Sequence, residues 1–309
     1  MSIINNIKDI ILIEGGASKK NIYRFNNKNR TFIILDFSKD INEFNNHLNV
    51  YNILKNIDIS IPEIYEVNFR DKIIITEDFG AQRYDKVFNK LDMNSLLKYA
   101  VDSLIVINNS IIKNLSTDTL STYNYGIFKK EISEFVDFFV PYKKIDNSVN
   151  LAFFETWKEN YDNLNFKFDT FVHKDFEFTN LMYLPTKKNY LKCGILDFQS
   201  AFRGFKGWDL FSLLENSRIY FSRKHNEQLI KYYYDNTLPD VEFDLFRKQY
   251  YFLNTSRQTR LLGRWVKFSI VHKNNSYLKF IDTTVKRLKD SLINLKLNKL
   301  NDIYSKILN

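Results

Sequence analysis

Short apolar runs broken by polar punctuation fill the first part of the chain, and long runs of helical period fill the rest. Ile10–Glu14, Asn21–Asn26 and Thr31–Phe37 are apolar or aromatic runs bounded by Gly, Ser, Asn and Lys, which predicts strands and hairpins. Lys39–Asn56 carries Ile41, Phe44, Leu48, Tyr51 and Leu54 at helical spacing. Pro62 blocks any continuation of that helix, and Ile64–Asn68 and Lys72–Glu77 predict two further strands. From Met93 onward the period turns helical, with amphipathic stretches at Met93–Leu115, Gly126–Phe139 and Leu151–Phe166. Two strand-like runs, Thr170–Val172 and Cys193–Leu196, interrupt it. Helical patterns then resume at Asp209–Phe221, His225–Asp235, Val241–His272 and Asn275–Leu295. The expected fold class is α+β, with a small sheet lobe over 1–80, a large helical lobe over 81–309, and a boundary near Gly80.

Composition narrows the class without naming a function. At 309 residues the chain is long enough for one large core or two lobes. A content of 44% hydrophobic residues, with 16% aromatic, belongs to a globular protein. Against 36 Asp and Glu stand 45 Lys and Arg, a formal charge of +9. The lysines are scattered and no recognition motif accompanies them, so nucleic acid is not the expected partner. The single Cys193 allows no intramolecular disulfide, which fits a reducing compartment. The N-terminal residues mix charge into apolar positions too early for a signal peptide, and no run of membrane-spanning length occurs. A cytoplasmic protein that does not engage a membrane is expected.

The chemistry concentrates in one segment. Phe171-Val-His-Lys-Asp-Phe-Glu-Phe-Thr-Asn180 reads H-x-D-x-x-x-x-N, and Gly194-Ile-Leu-Asp-Phe-Gln199 follows it. An acid, an amide and a second acid are the set that phosphoryl transfer from ATP requires. Asp175 is the candidate to receive the proton of an attacking hydroxyl. Asn180 and Asp197 are the candidate magnesium ligands, with ATP and Mg2+ the implied cofactors. His173 is read as bracing this loop through hydrogen bonds.

Weaker features surround it. Gly15-Gly16-Ala17-Ser18 lies between two strands and reads either as a nucleotide loop, with Gly15, Gly16 and Ser18 near phosphates, or as a plain turn. Ile73–Gly80 is an apolar strand running into a polar tip, where the backbone of Glu77 to Phe79 would meet the adenine edge. Asp209 opens a helix, either as its N-cap or as a brace for the catalytic loop. Arg257, Arg260 and Arg264 fall at i, i+3 and i+7, a basic face that is either solvated or turned to an anion.

His173–Asn180 with Asp197-Phe-Gln199 resembles the aminoglycoside phosphotransferase and choline kinase superfamily, which shares the protein-kinase-like fold. The likeness is greatest to its bacterial anomeric sugar kinases, which act on N-acetylmuramate and N-acetylglucosamine in cell-wall recycling. Gly16-Ala-Ser, Ile75-Thr-Glu-Asp-Phe-Gly80, Tyr123 through Glu131, Val172-His-Lys-Asp, Asn180-Leu-Met182, Asp209-Leu and Arg257 through Gly263 carry the resemblance. It implies a two-lobe fold with a deep ATP cleft. It also implies Asp175 as base, Asn180 and Asp197 on magnesium, and Glu131, Arg257 and Arg260 on the sugar. One departure stands out. Protein kinases hold the α- and β-phosphates with a Lys in the third strand, whereas this strand reads Thr31-Phe-Ile-Ile-Leu-Asp36. Lys19, Lys20 and Arg24 are the candidate substitutes.

The expected function is therefore an ATP-dependent kinase for the anomeric hydroxyl of an N-acetylated amino sugar, acting as a monomer or weak homodimer. The basic charge suits a carboxylate-bearing sugar such as N-acetylmuramate better than a polycationic aminoglycoside. An aminoglycoside-, choline- or fructosamine-type kinase is the alternative within enzymes, and an inactive nucleotide-binding regulator the alternative outside them.

Overall fold

The computed structural model describes residues 8–13, 20–28, 30–114, 117, 119–145 and 150–308. The chain divides into two compact units. One comprises Met1–Thr119 with His173–Ala201, the other Leu120–Val172 with Phe202–Asn309.

The first unit is built on five antiparallel strands. They are β1 (Lys8–Ile13), β2 (Asn21–Asn27), β3 (Arg30–Asp36), β4 (Ile64–Asn68) and β5 (Ile73–Glu77), in the order β1-β2-β3-β5-β4. The Ile, Phe and Tyr content of these segments suits a pleated surface covered on both faces. Phe25, Ile34 and Ile75 form a cluster on one side. Phe37 and Ile74 form another with Phe44 of helix α1 (Ile41–Leu54), and Leu35 and Leu48 pack against it. Asp40 starts α1 by accepting hydrogen bonds from the Asn42 and Glu43 backbone N–H groups at 3.1 and 3.2 Å, an N-cap worth about 1 kcal/mol.

Helices α2 (Tyr84–Val87) and α3 (Met93–Asn114) follow β5 within the same unit. The expected boundary near Gly80 is therefore not where the contacts divide. The reason lies in hydrogen bonds to the motif segment, which contributes a hairpin of β7 (Leu181–Tyr183) and β8 (Cys193–Ile195). The Ser103 hydroxyl of α3 donates to the Tyr190 carbonyl at 3.1 Å, and the Ser60 hydroxyl donates to the Leu191 carbonyl at 2.7 Å. The Ile195 N–H donates to the Ser60 carbonyl at 2.8 Å.

The second unit is helical around one short ladder, β6 (Thr170–Val172) with β9 (Phe202–Gly204). Its helices are α4 (Tyr125–Glu134), which continues through a π turn at Phe135–Phe139 into α5 (Val140–Tyr142), then α6 (Asn150–Asn163), α7 (Trp208–Leu214) and α8 (Arg223–Thr237). The 30-residue α9 (Phe243–His272), α10 (Ile281–Leu295) and α11 (Asn298–Leu308) complete it. Aromatic rings fill the core, with Trp157 edge-on to Phe252 at 4.9 Å and Phe128 stacked on Phe252 at 5.8 Å.

Most predicted elements are present, and the exceptions have local causes. Helix α7 stops at Leu214 rather than running to Phe221. Asn226 donates to the Leu214 carbonyl at 3.0 Å and Gln258 to the Glu215 carbonyl at 2.8 Å, so side-chain amides take the places of the next turn's N–H groups. Helix α6 ends three residues early at Asn163, ahead of a left-handed Asn165 (φ 45°). Strands β7 and β9 and helices α2 and α11 were not anticipated.

Candidate active site

From His173 on, the motif residues lie in the first unit as two loops laced to each other. The Asn180 amide nitrogen donates to the Asp175 carbonyl at 2.8 Å, and the Glu177 N–H donates to the same carbonyl at 2.9 Å. That bond uses the nitrogen of the amide and leaves its oxygen, the atom a magnesium ion takes. The Leu196 N–H donates to the Asn180 carbonyl at 2.9 Å, one residue before Asp197. His173 Nε2 donates to the Leu196 carbonyl, also at 2.9 Å. A carbonyl can only accept, so the imidazole carries its proton on Nε2. Burial holds that ring below the ordinary His range. The expected bracing role of His173 thus has a partner, the peptide that leads into Asp197.

Backbone strain marks the same two loops. Lys174, between His173 and Asp175, has φ 82°, and Asp197 has φ 65°. Left-handed backbone is uncommon at any residue other than Gly, more so at Lys174 than at Asp197, and strain of this kind gathers where function demands an exact side-chain direction.

Asp197 is held by two donors. Lys20 Nζ and Gln199 Nε2 both donate to Oδ1, the latter at 3.0 Å. Burial alone would raise this carboxyl. The Lys20 charge and the hydrogen bonds from Lys20 and Gln199 outweigh it and keep Asp197 below the usual Asp value, hence ionised. Next to it, Phe198 stacks on His47 of α1, ring centroids 4.6 Å apart. Burial pushes the His47 imidazole down to about 3, so it packs as a neutral ring.

Among the described residues no group of three His, Cys, Asp or Glu side chains is arranged to hold a metal. One Asn oxygen and one carboxylate nonetheless fit the way magnesium binds with a nucleotide, where phosphates and water complete its shell.

The tip of β5 is pinned as well. Arg24 Nη2 of β2 donates to Asp78 Oδ1 at 2.9 Å and to the Gly80 carbonyl at 2.8 Å, and Gly80 takes φ 84°, open to Gly at least strain. The Phe79 ring lies against Gly194 of β8. A Cβ there would come within 2.7 Å of it. Phe79 therefore spends its side chain on packing, which suits a role for its backbone. Glu77 ends β5, and its N–H donates to the Glu63 carbonyl at 2.8 Å. Gly15, Gly16 and Ser18 lie outside the described residues, as does Lys19.

A second cluster belongs to the second unit. Arg260 of α9 donates to Glu131 of α4 at 2.6 Å, and the Tyr123 hydroxyl donates to the other oxygen of that carboxylate at 2.8 Å. Arg257 lies one turn away and is buried. Arg264, expected on the same basic face, instead makes two bonds to Glu134 at 2.6 and 2.9 Å, with Lys267 alongside at 3.3 Å. Two of the three arginines of the stripe, Arg260 and Arg264, thus tie α9 to α4. Asp209 is buried in the first turn of α7, whose N-cap position is Gly207, so the simple N-cap reading does not hold for it.

Two contributors escaped the sequence. His47 sits in a helical stripe of apolar residues and carries no motif. Lys20 was one of three basic candidates, and nothing in the sequence singled it out.

No family model matches the chain. The N-acetylmuramate/N-acetylglucosamine kinase of Caulobacter vibrioides is 24% identical over 233 residues, an alignment covering 72% of this chain and 63% of that protein. The chain thus spans under two thirds of that relative's length. Two solved structures share the fold across nearly the whole chain. One is an aminoglycoside phosphotransferase in complex with GDP, with TM-score 0.64, 13% identity and coverage of 94% of this chain and 93% of that one. The other is a choline kinase of Streptococcus pneumoniae, with TM-score 0.58, 14% identity and coverage of 95% of each. The five-stranded antiparallel sheet and this likeness agree: the chain has the protein-kinase-like fold that those two structures share.

Proposed function

We propose that the protein is an ATP-dependent phosphotransferase that transfers the γ-phosphoryl group to the anomeric hydroxyl of an N-acetylated amino sugar, N-acetylmuramate or N-acetylglucosamine. The observation that carries the reaction is the lacing of Asp175, Asn180 and Asp197 through the Asp175, Asn180 and Leu196 peptides. The likeness to a kinase for those two sugars supports the acceptor.

Asp175 accepts the proton of the acceptor hydroxyl as its oxygen attacks phosphorus, and the phosphoryl bond to ADP breaks. Asn180 and Asp197 would hold magnesium, which supplies charge neutralisation for the phosphates. His173 keeps the loops in register, and its protonated Nε2 fixes the Leu196 peptide beside Asp197. Glu131, Arg257 and Arg260 are proposed to hold the sugar. A guanidinium is matched to a carboxylate, and only N-acetylmuramate of the two sugars brings one. Asp209 is proposed to brace the catalytic loop.

The deciding experiment is ADP release with N-acetylmuramate, N-acetylglucosamine, kanamycin, choline and a fructosamine, with the reducing end of each sugar followed. Consumption of ATP together with loss of the reducing end is expected for one or both N-acetylated sugars. Phosphorylation that leaves the reducing end intact would overturn the anomeric acceptor, and turnover confined to kanamycin, choline or the fructosamine would overturn the sugar.

A further inference from the structure

The third strand of the sheet offers no cation to a nucleotide. Its only basic residue is Arg30, exposed at the first position, and the rest reads Thr31-Phe-Ile-Ile-Leu-Asp36. A triphosphate bound beside Asp197 needs positive charge from elsewhere. Arg24 is committed to Asp78 and to the Gly80 carbonyl. Lys20 stands differently.

Lys20 immediately precedes β2, one step beyond the pair Asn21–Asp36, and its ammonium lies 5.6 Å from the Phe37 ring centroid. Its side chain is only 4% exposed, and its ammonium pairs with Asp197 Oδ1. A lysine rarely gives up that much hydration, and here the lost water is offset by the one carboxylate that the reaction needs ionised. The two oxygens of Asp197 are used unequally. Lys20 and Gln199 share Oδ1, and among the described residues Oδ2 accepts no hydrogen bond, although the carboxylate is 32% exposed. One oxygen is thus tied to the protein and the other is available to a metal ion.

We propose that Lys20 is the phosphate-binding lysine of this protein, supplied from the start of β2 in place of the third-strand lysine and aimed by its pairing with Asp197. An ammonium is a compact charge with three rotatable donors, able to serve a carboxylate and a phosphate oxygen together. The proposal rests on the phosphotransferase reading above and adds a residue that holds the β-phosphate.

The test is calorimetric binding of Mg-ATP, Mg-ADP, AMP and adenosine to the wild type, Lys20→Met and Lys20→Ala, with turnover recorded beside it. Loss of one charge-assisted contact should weaken ATP and ADP by about 10- to 100-fold in both variants and leave adenosine and AMP within about twofold. Equal weakening of all four ligands would mean that Lys20 only supports the local fold, and unchanged ATP affinity would mean that it contacts no phosphate. Either result overturns the proposal while leaving wild-type turnover, and so the phosphotransferase reading, intact. A wild type that binds no Mg-ATP would overturn both.

Discussion

Gly263 of α9 lies directly on the Glu134 peptide of α4. A Cβ built on it falls inside the contact radii of the Glu134 carbonyl carbon and oxygen, and 2.5 Å from the Phe135 nitrogen. The obstruction is backbone on both sides, and it sits where α4 passes into its π turn. Neither partner can swing aside as a side chain can. Gly263→Ala should therefore cost about 1–3 kcal/mol by overpacking, despite the better helix propensity of Ala. A lowered urea midpoint at constant slope would register it. An unchanged midpoint would mean that the two helices part freely.

Asp175→Asn tests the base. The amide keeps the shape of the loop but cannot take a proton, so turnover should fall by about 10²–10⁴ while Mg-ATP affinity stays near that of the wild type. Retained turnover would remove Asp175 from that role.

A buried charge cluster in the second unit centres on Glu215, whose side chain has no exposure. It accepts from Arg223 at 2.7 Å and from Arg287, also fully buried, at 3.3 Å. Arg287→Met leaves a buried carboxylate short of one of its cations and should destabilise by about 3–5 kcal/mol. Lys299→Met, which breaks an exposed pair with Glu159, should lie within experimental error of the wild type. Equal effects of the two variants in denaturant melts would contradict this account of Glu215.

His47 sets a pH dependence. The unfolded ring takes a proton near 6.5 and the folded ring only near 3, so the unfolded state binds more protons between those values. Stability is then fully present above 6.5 and is lost as pH falls toward 3. The depressed His173 acts in the same direction. Asp197, depressed as a carboxylate, adds a loss that begins only near its ordinary 3.8. His47→Phe keeps an aromatic ring against Phe198 and removes up to one proton from the slope, about 1.4 kcal/mol per pH unit. Denaturation at pH 7.5 and 5.5 would reveal it, and an unaltered slope would show that His47 is not held neutral.

The sequence was most legible where function is local. Asp175, Asn180 and Asp197 announce themselves because their chemistry depends on spacing along a few residues, and the laced loops retain that spacing. The strands of the sheet were equally plain, since Ile- and Phe-rich runs between Asn and Lys leave little choice. Legibility failed where a residue is defined by distant partners. Helix α7 stops where Asn226 and Gln258 take the Leu214 and Glu215 carbonyls, and Lys20 finds Asp197 across 177 positions. Strands β7 and β9 have three residues each and show no alternation; β6 and β8, equally short, stood out only because they lead into Asp175 and Asp197. Helix α11 is another matter: Leu300, Tyr304 and Ile307 repeat at helical spacing, and the period was there to be read.

The make-up of the two compact units has a consequence for biosynthesis. The residues from His173 to Ala201 belong with the first 119, yet they emerge from the ribosome only after the whole stretch from Leu120 to Val172 has done so. The sheet and α3 must therefore wait, with Ser60 and Ser103 lacking the Leu191 and Tyr190 carbonyls, until a segment destined for the other unit has passed. Neither unit is a contiguous stretch, so a C-terminal truncation anywhere before Ala201 leaves both incomplete. A ribosome that stalls before His173 releases a chain whose first unit lacks its hairpin and with it the Asp175, Asn180 and Asp197 chemistry. Completion of the first unit and acquisition of the site coincide in time.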